Sequence, residues 1–495
     1  MFKPTDKVLE MNVKANQIGR SSIIEVSFPN DEIVKHKAAA ATFGVALALL
    51  LLSAPVVHAA SFDVDSPNDV GDTDVNDGKC IGGTRRNGTT YCTLRAAIEQ
   101  SNWKTDQDTI YLVNRTYTVR NELKVTSPID IFGWGAGTTF IERPCPKRNS
   151  GGECYGLPAD IPEFSIFTVS AEGYLGLWSL QVRNGLYGWG GGILNRGSVE
   201  VRGSTIAGNH AHLYGGGIYN EGWLYLQDST VTNNFTHRNG FSRGGGIYSY
   251  KGIVDIAYST INNNKTEGGG GLYIYAGGLN MWNSTVSGNT SFGGRLSEPS
   301  AGGLIIAESG EAWLKNVTVT ANTSRGGSKR SGVANQGRFY FTNTLIAGGT
   351  EQDQDCSGQL ISLGGNLVGA RGYKNSEGTY PCGIVGYTPW PANWPDKAAD
   401  QIGDYLRYPD PGELPRIDPL LGPLADNGGT TCTHALMPGS PAIDKAWAGV
   451  NGQPDGFVLS PEPYDQRWYK RVDGLGDVGA FEAVGTPKPA GLGCL

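Results

Sequence analysis

Between Ser198 and Lys315 apolar residues alternate with polar or aromatic ones in five short stretches. Val199 and Val201 flank Glu200, Leu224 and Leu226 flank Tyr225, and Val254 and Ile256 flank Asp255. Leu279 and Met281 then flank Asn280, and Ala312 and Leu314 flank Trp313. A period of two predicts half-buried strands, and none of these stretches carries the i, i+3, i+4 spacing of a helix. A glycine phrase precedes each strand: Gly190 to Ile193, Gly215 to Ile218, Gly244 to Ile247, Gly269 to Leu272 and Ala301 to Leu304. A second phrase follows it, ending in Asn209, Asn234, Asn264, Asn289 and Asn322. The aliphatic residues at 193, 218, 247, 272 and 304 recur at spacings of 25, 29, 25 and 32. Repeats of this length are stacked supersecondary units. With two or three short strands per repeat, the pattern predicts a parallel β-helix whose aliphatic residues stack coil on coil.

The repeated punctuation fits such a coil. Glycine serves turns with positive φ and close approaches, and Asn tolerates the left-handed region while its amide can bond the Asn of the next coil. An internal ladder of Asn184, Asn209, Asn234, Asn264, Asn289 and Asn322 is therefore expected, with Gly349 replacing the Asn one coil later. Extra residues at 235–243, 291–300 and 323–331 read as loops at one edge. Cys92 to Asn102 is the one clear short helix, N-capped by Thr93 with Leu94, Ala97 and Ile98 on one face. It is placed to cover the open end of the solenoid, which would otherwise be an unprotected sheet edge. The chain divides into a signal-peptide region (1–59), an N-terminal cap (60–105), the repeats (106–350), a C-terminal region (351–483) and a tail (484–495).

The chain has 495 residues, 73 of them glycine, with no triplet period, which excludes collagen and suits a turn-dense β fold. Ala38 to Val57 is almost wholly apolar, follows Lys35 and Lys37, and precedes small residues suited to cleavage, as in a signal peptide. Residues 1–59 carry 6 Lys/Arg and 5 Asp/Glu, so their removal changes the net charge from −7 to −7 − (6 − 5) = −8. An acidic chain without basic runs argues against nucleic acid and anionic membranes as partners. All eight cysteines lie beyond residue 59, as a disulfide framework in an exported protein would. Proximity pairs Cys80 with Cys92, Cys145 with Cys154 and Cys356 with Cys382, leaving Cys432 and Cys494. No Cys-x-x-Cys or Cys/His pair has zinc-site spacing, and Asp72 to Gly78 lacks the glycine and glutamate of a calcium loop, so neither metal nor cofactor is expected.

Cys92-Thr93-Leu94-Arg95-Ala96-Ala97 resembles the domain named for its Cys-Ser-Leu-Arg-Glu-Ala motif, with Ala96 at the family's Glu. Asp418 to Gly429, Gly439 to Asp444, Asp465-Gln466-Arg467 and Asp477 to Glu482 resemble the C-terminal phrases of bacterial choice-of-anchor β-helix proteins. The glycine and asparagine phrases are similar to those of polymorphic outer-membrane proteins. The resemblance spans nearly all of 62–483. It implies a right-handed parallel β-helix, outside the cell or on a bacterial surface, and brings no catalytic residues with it.

The outward strand positions hold Glu200, Tyr225, Asp255, Asn280 and Trp313, and two residues on Arg202, Gln227, Ala257, Trp282 and Lys315. Glu200 and Asp255, two coils apart, would stand roughly 9–10 Å from each other at ~4.8 Å per coil, the far limit of an inverting glycosidase pair. Glu200, Arg202, Tyr225, Asp255, Trp282 and Trp313 are the candidate binding residues. Tyr219, Tyr248 and Tyr273 occupy equivalent positions and read as a stabilising ladder, with sugar stacking as the other use of such a row. His434, Ser440 and Asp444 lack the spacing of a nucleophile elbow. The expected protein is a monomeric, secreted or surface-displayed β-helix that binds a cell-surface glycan or protein without catalysis. The alternatives are a polysaccharide lyase or hydrolase and a structural surface component.

Overall fold

The computed structural model describes residues 59–483, apart from 104, 149–153, 156–160, 238–240, 294–299, 326–329, 350–353, 373–378, 387–399, 405–414, 447–462 and 472–475, together with 12–18 and 21–27. Residues 1–58 form a separate unit in which Asn12–Ile18 and Ser21–Ser27 pair antiparallel. The apolar segment 38–57 and Cys494 lie outside the described residues. Among the described residues no helix is long and apolar enough to cross a membrane.

From Ser61 to Ile402 the chain winds as a right-handed parallel β-helix in one continuous sheet that bends through three faces. On the first face Phe167–Val169, Ile193–Asn195 and Ile218–Asn220 pair in parallel register and lead into Ile247. On the second, Pro128–Phe132, Tyr174–Trp178, Ser198–Arg202 and Trp223–Gln227 do the same. On the third, Gln181–Arg183, Thr205–Ala207, Thr230–Thr232 and Thr260–Asn262 follow. The strands Leu272–Ser287 and Leu304–Thr320 run through all three faces unbroken. The flanking aliphatics of the alternating stretches point inward as expected, each at most 1% exposed.

The corners explain the punctuation. One corner places Ser179, Gly203, Asp228, Tyr258, Asn283, Asn316 and Asn343 at positive φ. The next does the same to Asn184, Gly208, Asn233, Asn263, Gly288 and Ala321. The third requires glycine: a Cβ on Gly215 would lie 2.2 Å from the Ile218 carbonyl oxygen. The Asn ladder forms from Asn209 to Asn322. Each Nδ2 donates to the next Oδ1, at 3.1 Å from Asn209 to Asn234 and 3.0 Å for the three later steps. Asn184 is not part of it. Gln181 pairs with Thr205, a step of 205 − 181 = 24 residues, so Asn184 is the equivalent of Gly208 and Gly185 takes the ladder position. The Gly185 N–H donates to Asn209 Oδ1 at 2.9 Å, while the Asn184 amide turns to Glu142.

The N-terminal end and two of the faces are covered. The helix Leu94–Asn102 packs on the first strands, and the Ala96 N–H donates to Thr93 Oγ1 at 3.1 Å. Asp65 pairs with Arg85 and Asp69 with Arg95, so these acids brace the cap. The expected disulfides Cys80–Cys92, Cys145–Cys154 and Cys356–Cys382 are formed; Cys432 is also disulfide-bonded. A fourth short strand in each coil, from Leu186–Trp189 and His210–Tyr214 to Thr323–Ser324, builds a second sheet. The stretches read as loops at 235–243 and 323–331 therefore begin with strand residues, and 291 closes the strand Thr290–Ser291. Tyr219, Tyr248 and Tyr273 stack at 5.5 and 5.4 Å and are 7%, 3% and 4% exposed, so they are packing, not a surface row.

Beyond Arg416 the chain folds back along the third face as a strap. Gln466 donates to Ser259 O and Thr260 Oγ1 and accepts from Thr285 Oγ1 at 2.6 Å. Trp468 stacks on Tyr258 at 3.9 Å and donates to Asp228. Arg467 lies between Tyr469 and Phe481 and pairs with Asp465 at 2.6 Å, both buried. Arg471 pairs with Glu482 at 2.8 Å. Burial outweighs that neighbouring guanidinium and pushes the Glu482 carboxyl up to about 7. The Asp-Gln-Arg and Asp-to-Glu phrases are thus the fastening of the strap.

Candidate binding face

The second face keeps its outer positions half-exposed over much of its length, and all six candidate residues lie on its outer side. Register aligns Asp130, Gly176, Glu200, Tyr225, Asp255, Asn280, Trp313 and Tyr340 in one row. Phe132, Trp178, Arg202, Gln227, Ala257, Trp282 and Lys315 form the neighbouring row.

Glu200, Arg202 and Tyr225 come together in an aromatic track. Tyr111 stacks on Phe132 at 5.6 Å, and Phe132 on Trp178 at 5.3 Å. The Arg202 guanidinium lies 5.2 Å from the Trp178 ring and 4.9 Å from that of Tyr225, and Tyr225 lies parallel to Trp223 at 5.8 Å. Five rings and one guanidinium thus cross five successive coils, about 19 Å at ~4.8 Å per coil. Trp313 forms a second station, stacked on Tyr340 at 4.0 Å and bonded to Glu311. Trp282 joins neither station. Its row neighbours Ala257 and Lys315 are 0% and 4% exposed while Trp282 itself stays half-exposed, and Lys315 does not serve as an outward cation.

The carboxylates of this face are engaged on both oxygens. Glu200 accepts from Arg202 on Oε1 and from the Tyr174 hydroxyl on Oε2 at 2.8 Å. Asp255 accepts from Asn280 at 2.8 Å and Trp223 at 2.7 Å. Asp130 accepts from Trp178 at 3.0 Å and Gln107 at 2.6 Å. Burial, then the bond to Glu200, holds the Tyr174 phenol above its ordinary range, and burial does the same to Tyr225. The arrangement holds rings and polar edges rigid. A hydrolytic pair needs instead a carboxyl free to meet the scissile bond and another free to act across it.

His434 Nδ1 donates to Gly422 O (2.8 Å) and its Nε2 meets Ser287 Oγ (2.7 Å), while the Ser440 hydroxyl donates to the Pro419 carbonyl, so these residues fasten the strap and make no triad. A cleft of about 730 Å3 opens between the cap helix and the first coils, with Arg95, Glu99, Glu122, Lys124, Glu163 and Tyr187 on its walls. Sequence reasoning did not reach Tyr111, Phe132, Trp178, Tyr174 and Asp130. The early coils lack the glycine phrase, although Ile129 and Ile131 around Asp130 carry the same alternation.

No protein-family profile matches the chain, and no curated protein is similar to it. Among solved structures, the crystal structure of pectate lyase Pel9A is similar over 87% of this chain and 98% of that one, with a TM-score of 0.42 and 12% identity. A likeness of that size does not bear on chemistry.

Proposed function

We propose that this protein is an exported β-helix that binds an extended polysaccharide along its second face and does not cleave it. The observation that carries this reading is the in-register track of half-exposed rings from Tyr111 to Tyr225. Aromatic faces offer a sugar ring broad apolar contact at little entropic cost, and the neighbouring amide and carboxylate edges offer hydrogen bonds. The track's carboxylates and the net negative charge favour a neutral polymer over an acidic one. Engagement of all six carboxylate oxygens of Asp130, Glu200 and Asp255 favours binding over hydrolysis. The disulfides and the apolar segment 38–57 support an extracellular site of action, and the resemblance of the end phrases to choice-of-anchor proteins supports display on a bacterial surface.

The test is affinity electrophoresis against neutral β-glucan and mannan and against polygalacturonate. Retardation is expected in a neutral gel, and Trp178→Ala should weaken it about tenfold, the equivalent of ~1.4 kcal/mol for one lost platform. Retardation in the acidic polymer alone, or equal retardation of the variant, would refute the reading.

A further inference from the structure

Away from the aromatic track, the second sheet brings three of the chain's six histidines together. His210 and His212 flank Ala211 on the strand His210–Tyr214, and Ala211 is fully buried, so alternation turns both imidazoles to the outer side. One coil on, the backbone register continues past Ala211↔Thr236, with the His237 N–H donating to Ala211 O at 2.9 Å. The ring centroids form a near-equilateral triangle of 5.6, 5.9 and 6.0 Å. One nitrogen from each ring lies within 4.8 Å of the others, and no other group of three or more His, Cys, Asp or Glu does so among the described residues.

Two further observations bear on this triangle. His210 Nε2 is buried and has no hydrogen-bond partner, an arrangement native structures rarely tolerate without a function. Phe235 stacks on the His210 ring at 4.0 Å and fixes its plane. Glu163, outside that mutual 4.8 Å group, reaches His212 Nε2 at 2.8 Å and also lines the cleft beside the cap helix.

We propose that His210, His212 and His237, with Glu163 as the fourth ligand, bind a zinc-class divalent cation at the rim of that cleft. Imidazole nitrogens with one carboxylate oxygen suit zinc in a tetrahedral site, and this donor set disfavours calcium and magnesium, which require oxygen-rich shells. Zinc–nitrogen bonds of ~2.0–2.1 Å place tetrahedral ligand atoms about 3.3 Å apart, so metal binding would require His212 and His237, both at the surface side, to rotate inward. Glu163 would leave His212 Nε2 for the metal.

The experiment uses the exported chain without a histidine tag, dialysed to equilibrium against Zn2+, Ca2+ or Mg2+ and analysed for bound metal. One equivalent of Zn2+ is expected, with no retention of Ca2+ or Mg2+. His237→Ala and His212→Ala should each lower Zn2+ affinity at least about 100-fold, and Glu163→Gln about tenfold. The metal-free unfolding midpoints should match wild type, because the substituted side chains reach the surface. Co2+ should give the intense visible absorption of a tetrahedral site, lost in His237→Ala. Less than half an equivalent of Zn2+ bound at micromolar free metal, or unchanged binding in both histidine variants, would overturn the assignment and leave the three rings as a packing stack.

Discussion

Truncating one rung of the asparagine ladder should be far more damaging than altering the look-alike residue beside it. Asn264 is fully buried and makes four side-chain hydrogen bonds. Its Nδ2 donates to Asn289 Oδ1 (3.0 Å) and Val231 O (2.9 Å), and its Oδ1 accepts from the backbone N–H and Nδ2 of Asn234, both at 3.0 Å. In Asn264→Ala two partners keep another bond: Asn289 Oδ1 still receives the Asn264 N–H, and Asn234 Nδ2 still reaches Ile206 O. The Asn234 N–H is orphaned and the Val231 carbonyl loses its side-chain donor. At about 1–3 kcal/mol per stranded buried group, the loss is about 3 kcal/mol. Asn184→Gly removes one bond to Glu142 at a position with φ of 65° that glycine adopts freely. It should therefore change stability by less than about 1 kcal/mol. Equilibrium urea unfolding, compared at unchanged slope, measures both. A loss below about 1 kcal/mol in Asn264→Ala, or equal losses in the two variants, would refute the ladder and its register.

Two other perturbations address the strap. Gln466→Ala removes every side-chain bond of the residue that joins the strap to Ser259, Thr260 and Thr285. Proteolysis of the strap should accelerate about tenfold while the coils stay resistant, and an unchanged cleavage rate would show that Gln466 is not the fastening. Because burial raises the folded Glu482 carboxyl from 4.5 to about 7, the folded chain holds this proton more tightly than the unfolded one. The contribution is complete below pH 4.5 and is lost as pH rises to 7. The urea midpoint of wild type should accordingly fall relative to Glu482→Gln across that window; a constant or rising difference would contradict the assignment.

Much of the fold was legible because the repeat imposes it locally. The inward aliphatics, the Thr93-capped helix, the ladder from Asn209 onward and the near-neighbour disulfides all follow from spacing. Asn184 misled because one coil is a residue shorter than the next, and a shift of one moves a side chain from the interior to a corner. The burial of Tyr219, Tyr248 and Tyr273 depends on a second sheet whose strands are as short as two residues, too brief to show alternation. The strap was invisible for another reason: its contacts join residues as far apart as Asp228 and Trp468, and its phrases carry no period. Of the six candidate binding residues, Glu200, Arg202 and Tyr225 belong to the aromatic track. Asp255 is bonded to Trp223 at its end, Trp313 stands at a separate station, and Trp282 stands half-exposed between the buried Ala257 and Lys315. The early part of the track escaped notice because coils without a glycine phrase could not be aligned.

The central claim is that the second face grips a neutral polysaccharide and leaves it intact. It is tested most directly by incubating the protein with neutral β-glucan and measuring both protection of Trp178 from oxidative labelling and release of reducing or unsaturated ends. Protection of Trp178 without product is the predicted result. Product whose formation is abolished by Glu200→Gln or Asp255→Asn, or a Trp178 label unchanged by saturating polymer, would contradict it.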